Sequence, residues 1–513
     1  MRATFWGVAL GIGLSLPSMA VAVDVAGLKD QLLSDNAAQQ AEAVKVIDTL
    51  TYSEKRSLVD GLRRALRGNA AGAQRAAEAL AHVGASAEPA LGDLVEALRF
   101  DEETITAPVA AALLAIGPDA VSPLKSELDD SNFLVRRRAA EILGKFGPKA
   151  KPAAASLVLM LRDPEFQVHA AAEATLLQIG EPAIPYVAAR LRKEDEGGRK
   201  ILLRLLGKMG PAAVPALVDH LQQDPSPYIR SDAADALAEQ GSLPRDAVEA
   251  LIGALKDLDD GVRVSVTTAL GQAGDSAQAA LGPLLTVSDT DKDPLVRQRA
   301  HDAMERIGVP TPAAIPGLAL AMREGDTAQR EAIFSLLAGS HVSMTDAQAL
   351  LVAGLRDSAS SVRVKALEAS AQIAGTGHDA FPIFRAALSD NDPAVRQAAI
   401  GALGQCSSAA PEAASILEAA LKDSSAVARK QTVAALKQLG PAATPSLLLA
   451  TRDENPVVAD DAEAAIVSFG AGAVAALDKA AQGTDPVLQA KAAAIIKKIQ
   501  NHPHHRHHSQ RES

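Results

Sequence analysis

The residues with the clearest potential for chemistry stand at the C-terminal end of the sequence, where histidines cluster. Five of the eleven His residues fall there, namely His502, His504, His505, His507 and His508. Neutral imidazole is a common ligand of zinc, nickel and copper, so the cluster predicts weak binding of these metals. The composition of residues 501–513 predicts a disordered His-rich tail. Metal buffering by this tail is therefore one alternative function.

Few other side chains could carry catalysis. The single cysteine, Cys406, excludes an internal disulfide and any site built from several cysteines. It falls at an apolar position of the repeat described below and is predicted to be buried. Two His-Asp dipeptides, at 301–302 and 378–379, occupy different repeat positions and do not predict a metal pair. No phosphate-binding loop, nucleophile elbow, zinc helix or EF-hand motif is present, so we predict a non-enzymatic protein without a resident cofactor.

The overall composition narrows the possible partners. The chain has 513 residues, a net charge of −11 and only 3% aromatic residues. An acidic chain gains little from a phosphate backbone, so the sequence predicts no nucleic-acid partner. The scarcity of aromatic residues and the abundance of Ala indicate many small helices that pack closely.

Residues 1–22 have the layout of a secretory signal peptide. Arg2 precedes an apolar run that ends at Pro17, and an A-x-A cleavage signal ends at Ala22. The run is shorter than the roughly 20 residues of a membrane-spanning helix, although an uncleaved anchor is the alternative. We predict cleavage after Ala22 and export to the periplasm or the extracellular space, with no integral membrane segment left after cleavage.

One internal repeat dominates the rest of the sequence. An Asp is followed six residues later by an Arg, usually after Val or Ile, and many copies carry a Gly seventeen residues after the Asp. The Asp–Arg pairs are Asp130 and Arg136, Asp224 and Arg230, Asp257 and Arg263, Asp291 and Arg297, Asp357 and Arg363, Asp390 and Arg396, and Asp423 and Arg429. Because the pairs recur in nearly every copy, a structural ladder is favoured over a binding stripe.

Each copy is typical of two helices. In the second helix, apolar or small residues follow the Val at steps of four, four and three, as in Ala139, Leu143 and Phe146 after Val135. Asp and Pro precede this helix, and Gly ends it. The pattern predicts an all-α solenoid, an armadillo-like superhelix of about 13 to 14 two-helix repeats.

These runs resemble the HEAT-repeat family, and specifically the short bacterial repeats of the phycobilisome-lyase type. The resemblance implies that the second helices line a concave face and that the Asp and Arg residues link neighbouring repeats. It also implies a protein-interaction scaffold; a catalytic or chromophore-handling protein such as a lyase is the alternative. Departures occur where His169 and Ala459 replace the Arg, and where Ser407 and His341 replace the Gly.

A partner surface is predicted at the variable positions two, three and six residues after the Val of the second helix. These positions hold Arg137, Arg138, Glu141, Ser231, Asp232, Asp235, Gln298, Arg299, Asp302, Val364, Lys365 and Glu368. Their mixed charges predict a polar contact with a protein. The predicted organisation is a signal peptide over 1–22, an N-terminal helical cap over 23–66, the solenoid over 67–500 and the tail over 501–513.

Overall fold

The computed structural model describes residues 23–375 and 378–501. The predicted signal peptide and the five His residues of the tail lie outside the described residues. Within the described ranges the chain is helical, with short 3-10 turns and no β-strand. It divides into an N-terminal segment that ends at Ala213 and a C-terminal segment that begins at Val214.

The N-terminal segment contains twelve described α-helices. They are α1 (Val25–Leu32), α2 (Ala37–Ile47), α3 (Tyr52–Leu66), α4 (Ala70–Val83), α5 (Leu91–Glu96), α6 (Thr106–Ile116), α7 (Val121–Ser126), α8 (Phe133–Lys145), α9 (Ala154–Met160), α10 (Phe166–Ile179), α11 (Ile184–Leu191) and α12 (Glu196–Lys208).

The C-terminal segment contains eighteen described α-helices. They are α13 (Val214–Gln223), α14 (Pro227–Ala238), α15 (Arg245–Ala254), α16 (Asp260–Ala273), α17 (Leu281–Thr290), α18 (Pro294–Ile307), α19 (Ile315–Glu324), α20 (Thr327–Ala338), α21 (Met344–Leu355), α22 (Ser360–Ala374), α23 (Phe381–Ala387), α24 (Pro393–Gly404), α25 (Ala410–Leu417), α26 (Ala426–Leu439), α27 (Thr444–Ala450), α28 (Pro456–Ser468), α29 (Ala471–Ala481) and α30 (Pro486–Asn501).

From α3 onward the helices form fourteen successive pairs. Within the C-terminal segment, each second helix packs on the second helix of a neighbouring pair, as α16 does on α14 and α18, and first helices such as α17 and α19 pack on each other. This arrangement confirms the predicted all-α solenoid. In the N-terminal segment α3, which belongs to the predicted cap, packs against α4 as the first helix of a pair.

Small residues let the second helices approach one another. Ala300 and Ala366 are fully buried at the position four residues after the Val. A Cβ added to Gly271 would lie 2.9 Å from the Cα of Ala303 on the adjacent second helix. The abundance of Ala therefore reflects close helix stacking, which buries apolar surface without large side chains.

The predicted glycines end the second helices. Gly308 ends α18 with a φ of 81° and its N–H donates to the carbonyl of Met304. A β-carbon disfavours this left-handed conformation, which explains the preference for Gly at this position. In the less regular stretch, α20 ends instead at Gly339 with a φ of −86°, and the N–H of His341 donates to the carbonyl of Pro310 at 3.1 Å.

Among the described residues, no individual helix has the length and apolar character of a membrane span. Together, α28 and α29 have the length and apolar composition of a membrane span, but they meet at a bend of 118°.

Candidate interaction surfaces

The recurring Arg binds two consecutive repeats at once. Arg363 Nη1 donates to the carbonyl oxygen of Asp357, which precedes the second helix of its own repeat, at 2.9 Å. Its Nε and Nη2 donate in parallel to the two carboxylate oxygens of Asp390 in the next repeat, both at 2.9 Å. Such a bidentate pair fixes geometry as well as charge, so each Arg joins the start of its own second helix to the start of the second helix in the next repeat.

We call this series the Arg–Asp ladder. Its described pairs are Arg136–Asp163, Arg230–Asp257, Arg263–Asp291, Arg330–Asp357, Arg363–Asp390, Arg396–Asp423 and Arg429–Asp453. Each ladder Asp also accepts a hydrogen bond from the backbone N–H two residues later, as Asp390 does from Asp392 at 2.8 Å. The carboxylate therefore fixes the turn before the second helix and binds the preceding Arg at the same time.

The Arg side chains also perturb the carboxylates. The hydrogen bonds from Arg396 hold the pKa of Asp423 below its usual value, against the smaller opposing effect of burial. Arg429 lowers the pKa of Asp453 in the same way. These carboxylates are consequently ionised at neutral pH.

Three predicted ladder residues have different surroundings. Asp130 is bound at 2.6 Å by Arg99, which follows a first helix rather than belonging to a second helix. Asp224 lies 3.2 Å from His220 Nδ1. Arg297 donates to the carbonyls of its own repeat, and no carboxylate among the described residues contacts its guanidinium group.

One ladder residue was missed by the sequence pattern. Arg330 binds Asp357 through Nε at 2.7 Å and Nη2 at 3.1 Å. The signal that could have found it is the spacing of six residues between Glu324 and Arg330, with Glu in place of Asp.

Arg138 does not belong to a partner surface, which corrects the prediction for this residue. Its side chain is fully buried, and Nη1 donates to the carbonyl of Leu98 at 2.9 Å. Nη2 reaches Glu103 Oε2 at 3.1 Å. The Arg138 side chain turns toward the preceding repeat, where it donates to the carbonyls of the loop after Leu98. Arg137 also pairs with Glu103, at 2.6 Å.

Three of the predicted surface residues meet on the second helices of the C-terminal segment. Asp235 on α14 and Arg299 and Asp302 on α18 line a groove of about 270 Å³ that crosses α16 at Gly271. Arg299 Nη1 lies 3.5 Å from Asp302 Oδ2. We call this site the second-helix groove.

The other predicted surface residues lie around this groove or in other repeats. Ser231 exchanges a hydrogen bond with Ser265 at 2.8 Å, Gln298 is exposed and Asp232 is half-buried. Lys365 pairs with Glu368 at 2.8 Å beside the half-buried Val364 on α22. In the N-terminal segment, Glu141 is half-buried on α8 and lies 3.8 Å from Arg137.

A larger groove, of about 730 Å³, lies at the C-terminal ends of the first helices α15, α17 and α19. Its apolar lining comes from residues such as Leu255, Val287 and Leu320, and Leu258 beside it is 92% exposed. Lys256 on one side reaches Glu324 on the other, with Nζ 3.4 Å from the carboxylate. We call this site the first-helix groove.

The described residues offer no obvious reactive centre. No group of three or more His, Cys, Asp or Glu side chains in that part of the chain could hold a metal ion. Cys406 is 2% exposed, which confirms its predicted place in the core, and burial raises the pKa of its thiol. A protonated thiol in the core is a poor nucleophile.

The repeat, its ladder and the paired helices match a known protein family. The family of HEAT repeats matches residues 121–207, 155–238, 184–271, 214–305, 248–338 and 347–437. These matches together cover more than half of the chain, so the chain belongs to the HEAT-repeat family. No curated protein matches the sequence significantly.

Similar solved structures include other helical solenoids. A mutant of Kap121p is 12% identical, with a TM-score of 0.36 over 93% of this chain and 65% of that chain. The chain thus spans less than two thirds of that protein. The complex of CpcE and CpcF of phycocyanin lyase from Nostoc sp. PCC7120 is 23% identical, with a TM-score of 0.26 over 30% of this chain and 98% of that chain. A structure from a study of cadherin and beta-catenin is 16% identical, with a TM-score of 0.29 over 79% and 100% of the two chains.

Proposed function

We propose that this protein is a non-enzymatic scaffold that binds a protein partner along the face formed by its second helices. The observation that carries the proposal is the second-helix groove, where Asp235 projects from the repeat before α16 and Arg299 and Asp302 project from the repeat after it. Both charge signs occur there, a composition that suits a polar protein interface better than a nucleic acid or a membrane surface. We further propose that the repeats are of the short bacterial type shared with phycobilisome lyases, without the lyase activity.

Site-specific photo-crosslinking in the native host tests this function. A photoreactive amino acid at Arg299 should capture a partner protein, and Asp235→Lys together with Asp302→Lys should abolish the crosslinked band. The matched control carries the same photoreactive group at Asp478, an exposed residue of the first helix α29 that lies outside both grooves. Equal capture from both positions, or a band that survives the charge reversal, would contradict binding at the second-helix groove.

We also propose that the protein is exported and that the signal peptide is removed after Ala22. The support is the sequence of residues 1–22, with a basic residue, an apolar run and a small-residue cleavage signal. Mass spectrometry of the protein from the exported fraction should give an N-terminus at Val23. Recovery of the intact chain in the membrane fraction would instead indicate a retained anchor.

The His-rich tail is proposed to bind zinc, nickel or copper weakly, apart from the scaffold function. Titration of a peptide of residues 501–513 with Ni²⁺ should produce heat and a spectral change, because neutral imidazoles coordinate this ion. The control peptide replaces the five His residues with Asn. If the two peptides behave alike, the tail does not bind metal.

A further inference from the structure

At one described position of the C-terminal segment, Arg297, a ladder Arg has no Asp partner. Arg297 Nη1 donates to the carbonyls of Asp291 at 2.7 Å and Lys292 at 3.3 Å, as the other ladder residues do in their own repeats. These two bonds hold the guanidinium in the ladder orientation. Elsewhere the Nε and Nη2 edge then binds an Asp carboxylate, but here the equivalent position is Glu324. The carboxylate of Glu324 pairs with Lys256 instead, at 3.4 Å.

A second substitution explains how this repeat folds without the ladder carboxylate. Gln329 stands where other repeats have the buried Val, and it is 3% exposed. Its Oε1 accepts the N–H of Asp326 at 3.0 Å, and Asp326 Oδ1 accepts the N–H of Gln329 at 3.0 Å. This capping box takes over the turn that an Asp carboxylate fixes in the other repeats. The Nε and Nη2 edge of Arg297 therefore has no Asp partner among the described residues, and the second helix of the next repeat, α20, still has its N-terminal cap.

Arg297 lies beside the first-helix groove. Its Nη1 binds the carbonyls of Asp291 and Lys292, and both of these residues line that groove together with Glu324. Lys292 adds exposed positive charge at its rim, and apolar side chains line its floor. The lining carboxylates, Glu249, Asp257, Asp291 and Glu324, are each paired with an Arg or a Lys. The groove, formed by three successive repeats, thus has apolar surface next to a preoriented carboxylate receptor.

We propose that the first-helix groove binds an extended segment of a partner protein in which an Asp lies between apolar residues. The Asp carboxylate completes the ladder by accepting parallel hydrogen bonds from Nε and Nη2 of Arg297, and the flanking apolar side chains cover Val287 and Leu320. This site is separate from the second-helix groove, so each can fail while the other stands.

The test uses the full chain and a fluorescent, acetylated and amidated Ser-Leu-Asp-Leu-Ser peptide, with Asn in place of Asp as its control. Fluorescence polarisation should show about tenfold tighter binding of the Asp peptide, because only a carboxylate accepts both hydrogen bonds in ionised form. Glu324→Asp should weaken that binding about tenfold, since it supplies the residue that fills the equivalent site in other repeats. Arg297→Lys should do the same, whereas Arg363→Lys, at a filled ladder position, should leave the affinity unchanged.

Several results would overturn the proposal. One is equal affinity for the Asp and Asn peptides, and another is unchanged affinity in both Glu324→Asp and Arg297→Lys with the helical circular dichroism intact. Competition by sodium acetate as strong as that of the Asp peptide would reduce the site to a general anion site. Tighter peptide binding after deletion of residues 502–513 would make the chain's own tail the occupant.

Discussion

At the scale of single residues, the ladder guanidinium groups stabilise the fold because each satisfies acceptors from two repeats. Arg263 is 5% exposed and its partner Asp291 is 8% exposed, so neither group has water as a ready substitute. Arg297 has the same backbone bonds but no acidic partner among the described residues. A comparison of variants at Arg263 and Arg297 therefore separates the contribution of the carboxylate to stability from the contribution of the backbone carbonyls.

We expect Arg263→Met to destabilise its region by about 3 kcal/mol, because it leaves the buried Asp291 charge without its partner. Arg297→Met should cost about 1 kcal/mol, since only bonds to carbonyls are lost. Hydrogen exchange of the α16 and α18 amides measures both effects. Similar losses of protection in the two variants would show that the carboxylate contributes little.

Acid should weaken the ladder. The pKa of Asp423 is lowered in the folded chain by Arg396, so the stability it contributes is complete above its unfolded pKa of about 3.9 and is lost as the pH falls through the lower folded value. At pH values below about 4, the urea concentration at the unfolding midpoint should therefore decrease. In Asp423→Asn the decrease should be smaller than in the parent chain, and an identical pH profile would contradict the assignment.

Residue-level prediction from sequence succeeds where the spacing reports backbone geometry and fails where it does not. Gly308 could be assigned to a helix end because the left-handed φ at this position favours Gly over other residues. Arg138 was misassigned because the run of three Arg residues does not reveal which of them turns toward the preceding repeat. The grooves could not be predicted, since they depend on the separation of helices from different repeats.

At the scale of helices, two glycines allow a close contact between the first helices α17 and α19. A Cβ on Gly282 of α17 would lie 2.2 Å from the carbonyl oxygen of Gly317 on α19. A Cβ on Gly317 would lie 1.9 Å from the carbonyl oxygen of Ala279. From sequence alone, Gly inside a helix indicates only a lower helix propensity, so this contact was not predicted.

Gly282→Ala should destabilise the C-terminal segment by about 2 kcal/mol, because the helix backbones must move apart. Gly401→Ala is the matched change on α24, where a new Cβ would meet no atom within 4 Å. It should stabilise by up to about 1 kcal/mol through helix propensity. Thermal unfolding of both variants decides the point, and a neutral Gly282→Ala would argue against close packing of α17 and α19.

At the scale of the whole molecule, the chain consists of many similar helix pairs, and each of its two segments contains only complete pairs from α3 onward. Contacts in such a protein are made chiefly between neighbouring repeats, so stability is a sum of local terms. The number of repeats was predictable from the sequence because its register is regular. The division of the chain at Ala213 could not be predicted, since the repeat pattern continues through this position.

A chain limited to residues 214–513 should fold by itself, because its helices pack chiefly on other helices within that segment. We expect the helical circular dichroism per residue to equal that of the full chain and the first-helix groove to keep its affinity for the Asp peptide. A chain of residues 214–501 controls for the tail. An aggregated or largely unfolded product would show that α13 requires the preceding repeats.

The ladder also has a consequence for how this chain can change its length during evolution. Arg363 and Arg396 each bind the Asp of the next repeat, and the carbonyls of Asp357 and Asp390 each accept from the Arg of their own repeat. Recombination that deletes residues 358–390 would therefore leave Asp357 to bind Arg330 through its carboxylate and Arg396 through its carbonyl. Whole repeats can thus be duplicated or lost without any new compensating mutation in the ladder, whereas a deletion of part of a repeat would break it.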